Sequence, residues 1–131
     1  MQFIDPSDWK RPLGYANGTI AEGKLFFVAG QIGWDGQQIL VSDDLAEQTA
    51  QALRNIVAVL EAGGSKPEHV VRMTWYVTDK QAYNAATKEI GEAYREVFGM
   101  HYPAMTLVEV ADLLESGALI EIEATAVIPN E

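Results

Sequence analysis

The chain has 131 residues, no cysteine and a formal net charge of −10, with 19 acidic against 9 basic side chains. This length predicts one domain over residues 1–131, and the missing cysteine excludes disulfide scaffolds, thiolate metal sites and cysteine nucleophiles. The acidity argues against nucleic acid and anionic membranes as partners, and the absence of a leader-like or membrane-length apolar segment leads us to expect a soluble cytoplasmic protein.

The first half of the chain predicts two strands followed by a long helix. After an irregular lead-in of about a dozen residues, 17–21 and 24–29 have strand character, and the Glu-Gly pair between them is the signal of a tight hairpin. Residues 42–44 supply a helix N-cap and the glycine pair at 63–64 a stop. The segment between them carries an apolar stripe at roughly helical spacing, formed by Leu45, Leu53, Ile56, Val57 and Leu60.

The second half predicts a strand, a helix and two further strands. Residues 70–78 alternate in character and are rich in β-branched and aromatic side chains. An apolar stripe predicts one helix over about 80–98, and strands follow over about 105–110 and 118–128. The order strand-strand-helix-strand-helix-strand-strand is typical of an α+β domain in which two helices cover one face of a sheet.

The second face of such a sheet has no cover within the chain. Met73 and Trp75, with apolar neighbours on the same face, would leave a large exposed patch on a monomer. The pattern therefore predicts an oligomer.

Two carboxylates on the last strand are candidates for chemistry. Glu121 and Glu123 are two residues apart and so point to the same face, and Glu109 is a candidate for the adjacent strand. One interpretation is a general acid/base carboxylate or a cation site. The other is a solvated or interface-paired polar face with no catalytic role.

Two further places are candidates for a binding site. Residues 101–105, His-Tyr-Pro-Ala-Met, form a loop-to-strand transition, where sites are commonly built, or else a connector with packed aromatic side chains. Trp34 lies in a Gly-Trp-Asp-Gly turn, where it either lines a pocket or fills an interface.

Neither a metal nor a nucleotide cofactor is expected. His69 and His101 lie far apart and lack ligand spacing. The glycines occupy hairpin and cap positions and do not form a glycine-rich loop that opens a helix.

An ordered set of short motifs resembles the Rid family, the reactive intermediate deaminases also called the YjgF family, over about residues 12–127. The motifs that carry the resemblance are Gly30-Gln31-Ile32, Leu53-Arg54-Asn55, Val70-Val71-Arg72-Met73-Thr74, Tyr102-Pro103-Ala104 and Ile120-Glu121-Ile122-Glu123-Ala124. The resemblance implies a chorismate-mutase-like α+β fold with a mixed sheet, a homotrimer and ligand clefts between subunits. It also implies cofactor-free hydrolysis of enamines and imines, such as 2-aminoacrylate, to a keto acid and ammonia.

The resemblance assigns roles to particular residues. Glu121 would place the attacking water, and Tyr15 with the backbone of Gly30 and Gln31 would line the cleft. Met105 stands where active members carry an arginine that grips the substrate carboxylate, and Leu107 stands at a frequent cysteine position.

Because a thioether cannot replace a bidentate arginine, the sequence favours a small, neutral or apolar imine over 2-aminoacrylate as substrate. Trp34 and Tyr102 are the expected apolar walls of the cleft. His101, four residues before Met105, either supplies the missing positive charge or is an ordinary exposed loop histidine.

Three functions are compatible with the sequence. The first is imine or enamine hydrolysis with Glu121 as general base and then proton donor. The second is a trimer that binds a small metabolite without turning it over. The third, ribonuclease activity, is disfavoured by the acidity and the lack of a basic patch.

Overall fold

The computed structural model describes residues 1–131 and contains six strands and three α-helices. Their bounds are β1 (Gln2–Ile4), β2 (Gly18–Ile20), β3 (Gly23–Ile32), α1 (Leu45–Ala62), β4 (Val70–Val77), α2 (Lys80–Ala85), α3 (Thr87–Phe98), β5 (Ala104–Glu109) and β6 (Ile120–Pro129). No helix has the length and apolar character that crossing a membrane requires.

The main sheet has four strands in the order β3-β6-β4-β5. The pairs β3/β6 and β6/β4 are antiparallel, whereas β4 and β5 run parallel. The predicted α+β class and mixed sheet are therefore confirmed. The C-terminal strand β6 lies at the centre of the sheet and hydrogen-bonds to a neighbour on each side.

The predicted hairpin around Glu22-Gly23 is wrong. Strand β2 pairs with β1, which lies in the segment expected to be irregular, and the two form a separate small sheet. Gly23 instead begins β3 opposite Pro129, at a φ of 146°. A side chain there would overlap the Ile128 carbonyl, so this glycine permits close pairing of β3 with β6.

The single helix predicted over 80–98 is two helices. Ala86, at φ −112° and ψ 16°, leaves the helical region and separates α2 from α3. The apolar stripe continues through this break, which is why periodicity alone did not reveal it. The N-cap predicted for α1 is confirmed, because the Asp44 carboxylate accepts a hydrogen bond from the Glu47 N–H at 3.0 Å.

The core lies between the sheet and the helices α1 and α3. Alternate side chains of β4 and β6 enter it, together with the inward stripes of both helices. Met73 and Trp75, at 0% and 4% exposure, belong to this core. The expectation that they form the uncovered patch is therefore wrong, because the helices cover their face of the sheet.

The uncovered face carries a different set of side chains. Arg72, Thr74 and Tyr76 alternate with the buried residues of β4 and point away from the helices. On β3, the large apolar side chains of Leu25 and Phe27 are 64% and 72% exposed. We therefore still expect an oligomer, because these exposed apolar side chains of β3 would be buried by a second copy of the chain.

A buried glutamine ties the start of α1 to the start of β6. Gln48 is fully buried; its Nε2 donates to the carbonyls of Ser42 and Gly117, both at 2.9 Å, and its Oε1 accepts from the Leu119 N–H at 2.8 Å. Three backbone groups of two loops are thus satisfied by one side chain.

We expect Gln48→Leu to lower the free energy of unfolding by about 2–4 kcal/mol, since three backbone groups lose the partner that this buried side chain supplies. Urea denaturation followed by circular dichroism measures this. The matched control is Gln81→Leu at an exposed position, which should leave the midpoint nearly unchanged. Equal midpoints for the two variants would show that Gln48 does not hold these loops.

We expect the chain to sediment as an oligomer at micromolar concentration, and Phe27→Lys to reduce its mass, because a charge on the uncovered face opposes its burial. Ile39→Lys is the control, since Ile39 is 63% exposed but lies outside the sheet. A monomeric wild-type mass by analytical ultracentrifugation contradicts the prediction.

Candidate functional site

A pocket of about 510 Å³ lies between the N-terminal segment, helix α3 and strand β5. Four of the five tyrosines of the chain line it, and we call it the tyrosine pocket: Tyr15, Tyr83, Tyr94 and Tyr102. Its volume is within the range that holds small organic ligands.

A backbone hydrogen bond brings the N-terminal segment to the pocket. The Ala16 N–H donates to the Pro103 carbonyl at 3.0 Å, and Ala16 forms an isolated parallel bridge with Ala104. This contact places the N-terminal segment next to the start of β5, and Tyr15 and Tyr102 line the same pocket.

Stacked aromatic rings form one wall of the tyrosine pocket. The ring of Tyr94 stacks on that of Tyr102, with centroids 5.2 Å apart, and lies 6.2 Å from that of Trp75. The Tyr94 hydroxyl donates to the His101 carbonyl. Burial raises the pKa of Tyr94 far above its usual value, and burial also raises the pKa of Tyr83. Both hydroxyls therefore stay protonated and act as neutral polar groups.

The floor of the tyrosine pocket comes from two parallel strands. Met105 and Leu107 of β5 stand beside Met73 and Trp75 of β4 in register. Met105 and Leu107 thus line the same pocket as Tyr15 and Tyr102. The Trp75 Nε1 is buried and has no hydrogen-bond partner.

One charged side chain lines the tyrosine pocket, and the sequence reasoning missed it. Arg95 joins the pocket from α3. Thr87, Gly91 and Arg95 are spaced by four residues, so they form one stripe of the helix that faces the pocket beside the buried stripe. The four-residue spacing could have indicated this stripe in the sequence. A stripe that contains a glycine and an arginine, however, has the composition of an ordinary solvent-exposed helix face.

A second cleft, of about 400 Å³, lies on the uncovered face of the sheet. Its wall includes the side chains of Glu121, Glu123 and Asp112, and we call it the carboxylate cleft. The Tyr76 hydroxyl donates to Glu123 Oε1 at 2.6 Å, and this hydrogen bond raises the pKa of Tyr76. The Glu123 carboxylate therefore has a hydrogen-bond partner, whereas the Glu121 carboxylate makes no hydrogen bond within the chain.

Gly30 makes the space that Glu121 occupies. A Cβ atom at position 30 would overlap Oε2 of Glu121, so only glycine leaves room for the carboxylate in this position. Gly30 lies within the irregularity in the β3/β6 register, which extends from Val28 to Gln31. The predicted site residues Gly30 and Glu121 are thus direct neighbours.

The tyrosine pocket and the carboxylate cleft open on opposite faces of the sheet. Trp75 lines the former and the next residue, Tyr76, lines the latter. Side chains of consecutive strand residues point in opposite directions, so Glu121 and Met105 cannot meet within one chain.

Three candidate residues lie outside both cavities. Gln31 turns its side chain back to the Ala29 carbonyl, and Trp34 forms an isolated bridge with Leu40. His101 Nε2 donates to the Val70 carbonyl at 2.7 Å, so this ring is held by the fold and is absent from the pocket wall. No group of three or more His, Cys, Asp or Glu side chains is arranged to hold a metal ion.

The chain is similar in sequence to several curated proteins. A RutC family protein from Pyrococcus horikoshii is 38% identical over 117 residues, which cover 88% of this chain and 89% of that protein. A 2-iminobutanoate/2-iminopropanoate deaminase from Homo sapiens is 34% identical over 118 residues, which cover 88% of this chain and 81% of that protein.

The fold is also similar to solved structures. A protein of unknown function from Yersinia pestis, described as a member of the conserved Rid protein family, aligns with a TM-score of 0.87 and 31% identity, covering 97% of this chain and 98% of that one. Residues 10–128 match the family described as endoribonuclease L-PSP. The chain therefore belongs to this family, which is the Rid, or YjgF, family.

Proposed function

We propose that this protein hydrolyses a small imine or enamine to a carbonyl compound and ammonia, in a cleft between neighbouring copies of a trimer. The observation that carries the proposal is the half-buried Glu121 carboxylate, which no hydrogen bond within the chain engages and for which Gly30 leaves room. Relatives named as 2-iminobutanoate/2-iminopropanoate deaminases support the reaction class.

The two cavities suit a site that is completed by a second copy. The tyrosine pocket has aromatic and aliphatic walls but no carboxylate or histidine that could move a proton. The carboxylate cleft has the acid/base group, and its aliphatic lining consists of Val110, Leu113 and Leu114. A cleft in which one copy supplies the tyrosine pocket and its neighbour supplies Glu121 would contain both kinds of group.

The reaction needs one group that exchanges a proton with water. Glu121 accepts a proton from a water molecule as its oxygen attacks the imine carbon, which forms a C–O bond and a tetrahedral carbinolamine. Glu121 then returns that proton to nitrogen, which completes the carbinolamine with its NH2 group. In the second half of the reaction Glu121 moves the hydroxyl proton to the same nitrogen. The C=O bond then forms, the C–N bond breaks and ammonia leaves, so one imine and one water give one carbonyl compound and one ammonia.

The walls of the tyrosine pocket favour a substrate with a neutral or apolar side chain. Met105, Leu107 and Trp75 offer dispersion contacts, and the protonated hydroxyls offer neutral hydrogen bonds. The sequence predicted a neutral or apolar imine on a different ground, namely that Met105 cannot replace an arginine that binds a carboxylate.

Binding without turnover is the second candidate function. It is favoured by Met105, which replaces the arginine that the resemblance assigns to active members. A metabolite that stays with the protein through purification and is recovered unchanged by mass spectrometry would support this alternative. RNA is a poor ligand for either cavity, since the chain carries a net charge of −10 and one cavity is lined by carboxylates.

We expect Glu121→Gln to lower kcat for imine hydrolysis by about 100-fold or more, because the amide cannot accept the proton of water. Imines are generated in place by an amino-acid oxidase, and hydrolysis is measured in competition with trapping by semicarbazide. Glu61→Gln, at an exposed position of α1, is the control with the same change of charge. An unchanged rate in Glu121→Gln removes Glu121 from the reaction.

We expect Gly30→Ala to lower kcat by about 10-fold or more while the fold is retained. The added methyl group displaces the end of the flexible Glu121 side chain, and φ at position 30 is not in the left-handed region. Gly36→Ala is the matched control, because nothing lies within 4 Å of a Cβ there. A full rate in Gly30→Ala, with a normal melting temperature, would show that the placement of Glu121 does not matter.

A further inference from the structure

The tyrosine pocket contains a single charged side chain, and it is positive. The chain has 19 acidic and 9 basic side chains, yet no aspartate or glutamate lines this pocket and Arg95 does. The local charge of the pocket is thus opposite in sign to that of the whole chain. A cation beside aromatic and aliphatic walls is suited to an anionic ligand that also has an apolar part.

The helix leaves space for the arginine to fold over the pocket. A Cβ atom at Gly91 would lie 3.2 Å from Nη1 of Arg95, four residues further along α3. The guanidinium therefore lies against the bare backbone of Gly91, where a methyl group would require it to shift by a few tenths of an ångström. Glycine in a helix interior is unfavourable by about 1 kcal/mol relative to alanine.

The donors of Arg95 are not engaged within the chain. The guanidinium makes none of the side-chain hydrogen bonds, and the side chain is exposed in the isolated subunit. A guanidinium presents N–H groups in a planar fork that matches the two oxygens of a carboxylate.

We propose that Arg95 is the residue that recognises the charge of the substrate, by binding a carboxylate whose apolar side chain lies against Trp75 and Met105. This inference rests on the proposed function, since it names the class of imine that the site accepts: a 2-imino acid with an apolar side chain. It replaces the expectation drawn from Met105, which favoured a substrate without a carboxylate. The side chain that binds the carboxylate is thus supplied by helix α3, whereas the resemblance assigns this role to an arginine at position 105 of strand β5.

A monocarboxylate fits this arrangement better than a more highly charged ligand. One guanidinium balances one negative charge, and no second cation lines the pocket. The hydroxyls of Tyr83 and Tyr94 add no charge, since burial raises the pKa of both. A phosphate or a dicarboxylate would keep an uncompensated charge in mostly apolar surroundings.

The test compares two imines that differ only by the carboxylate. 2-Iminopentanoate is made from norvaline by an amino-acid oxidase, and the imine of butanal is made from butylamine by an amine oxidase. Arg95→Gln is compared with Lys88→Gln, which removes the same charge from an exposed position of the same helix outside the pocket wall. Sedimentation of each variant measures its oligomeric state.

We expect Arg95→Gln to lower kcat/KM for 2-iminopentanoate by about 10- to 100-fold and to leave the rate on the butylamine-derived imine unchanged. Lys88→Gln should match the wild type on both. Gly91→Ala, which keeps the arginine but places a methyl group about 3.2 Å from its Nη1, should cause a smaller loss of the same kind, and alanine favours the helix more than glycine does.

A binding measurement separates this inference from the proposed function. Calorimetric titration with 2-oxopentanoate should show binding to the wild type that Arg95→Gln weakens by about 10-fold or more. If the wild type hydrolyses neither imine but 2-oxopentanoate binding depends on Arg95, the inference stands and the proposed function fails.

Three results overturn the inference. One is an equal loss on both imines in Arg95→Gln together with a reduced oligomeric mass, which would make Arg95 an interface residue. Another is no loss on 2-iminopentanoate in Arg95→Gln. The last is a wild-type protein that neither binds 2-oxopentanoate nor hydrolyses 2-iminopentanoate.

Discussion

The alternation of side chains along β6 is the constraint on which the rest of the structure depends. This strand lies at the centre of the sheet and is paired on both edges, so its register is held by β3 and β4 together. Its even-numbered residues from Ile120 to Ala126 enter the core, and the odd-numbered ones face away from the helices. Glu121 therefore lies on the face opposite to the tyrosine pocket, and an active site that uses both requires a second copy of the chain.

Two glycines decide where the charged groups of the cavities can lie. Gly30 leaves the room in which the Glu121 carboxylate sits, and Gly91 leaves the room over which the Arg95 guanidinium folds. In each case the absence of a side chain is what matters, because neither glycine has the positive φ that would require glycine for conformational reasons. The positions of the two charges thus come from close approach between elements and not from turn chemistry.

Secondary structure was predicted best where tertiary contacts reinforce the local pattern. Helix α1, with its Asp44 cap, and strands β4 and β6 lie close to their predicted bounds because alternation or a helical stripe coincides with burial. The break at Ala86 escaped notice because the apolar stripe passes through it. The hairpin prediction failed because strand pairing depends on residues far apart in the chain. Strand β2 pairs with β1, and the start of β3 pairs with the end of β6.

The sequence by itself determined the α+β class, the family resemblance, Glu121 as a candidate and the replacement of an expected arginine by Met105. Those features depend on residue identity and short-range spacing, which a sequence displays directly. Only the tertiary structure decided that Met73 and Trp75 lie under the helices, that the site residues divide between two faces, and that Arg95 lines the pocket with Met105. These depend on which face the helices cover and on contacts between residues far apart in the chain, and local pattern does not carry that information.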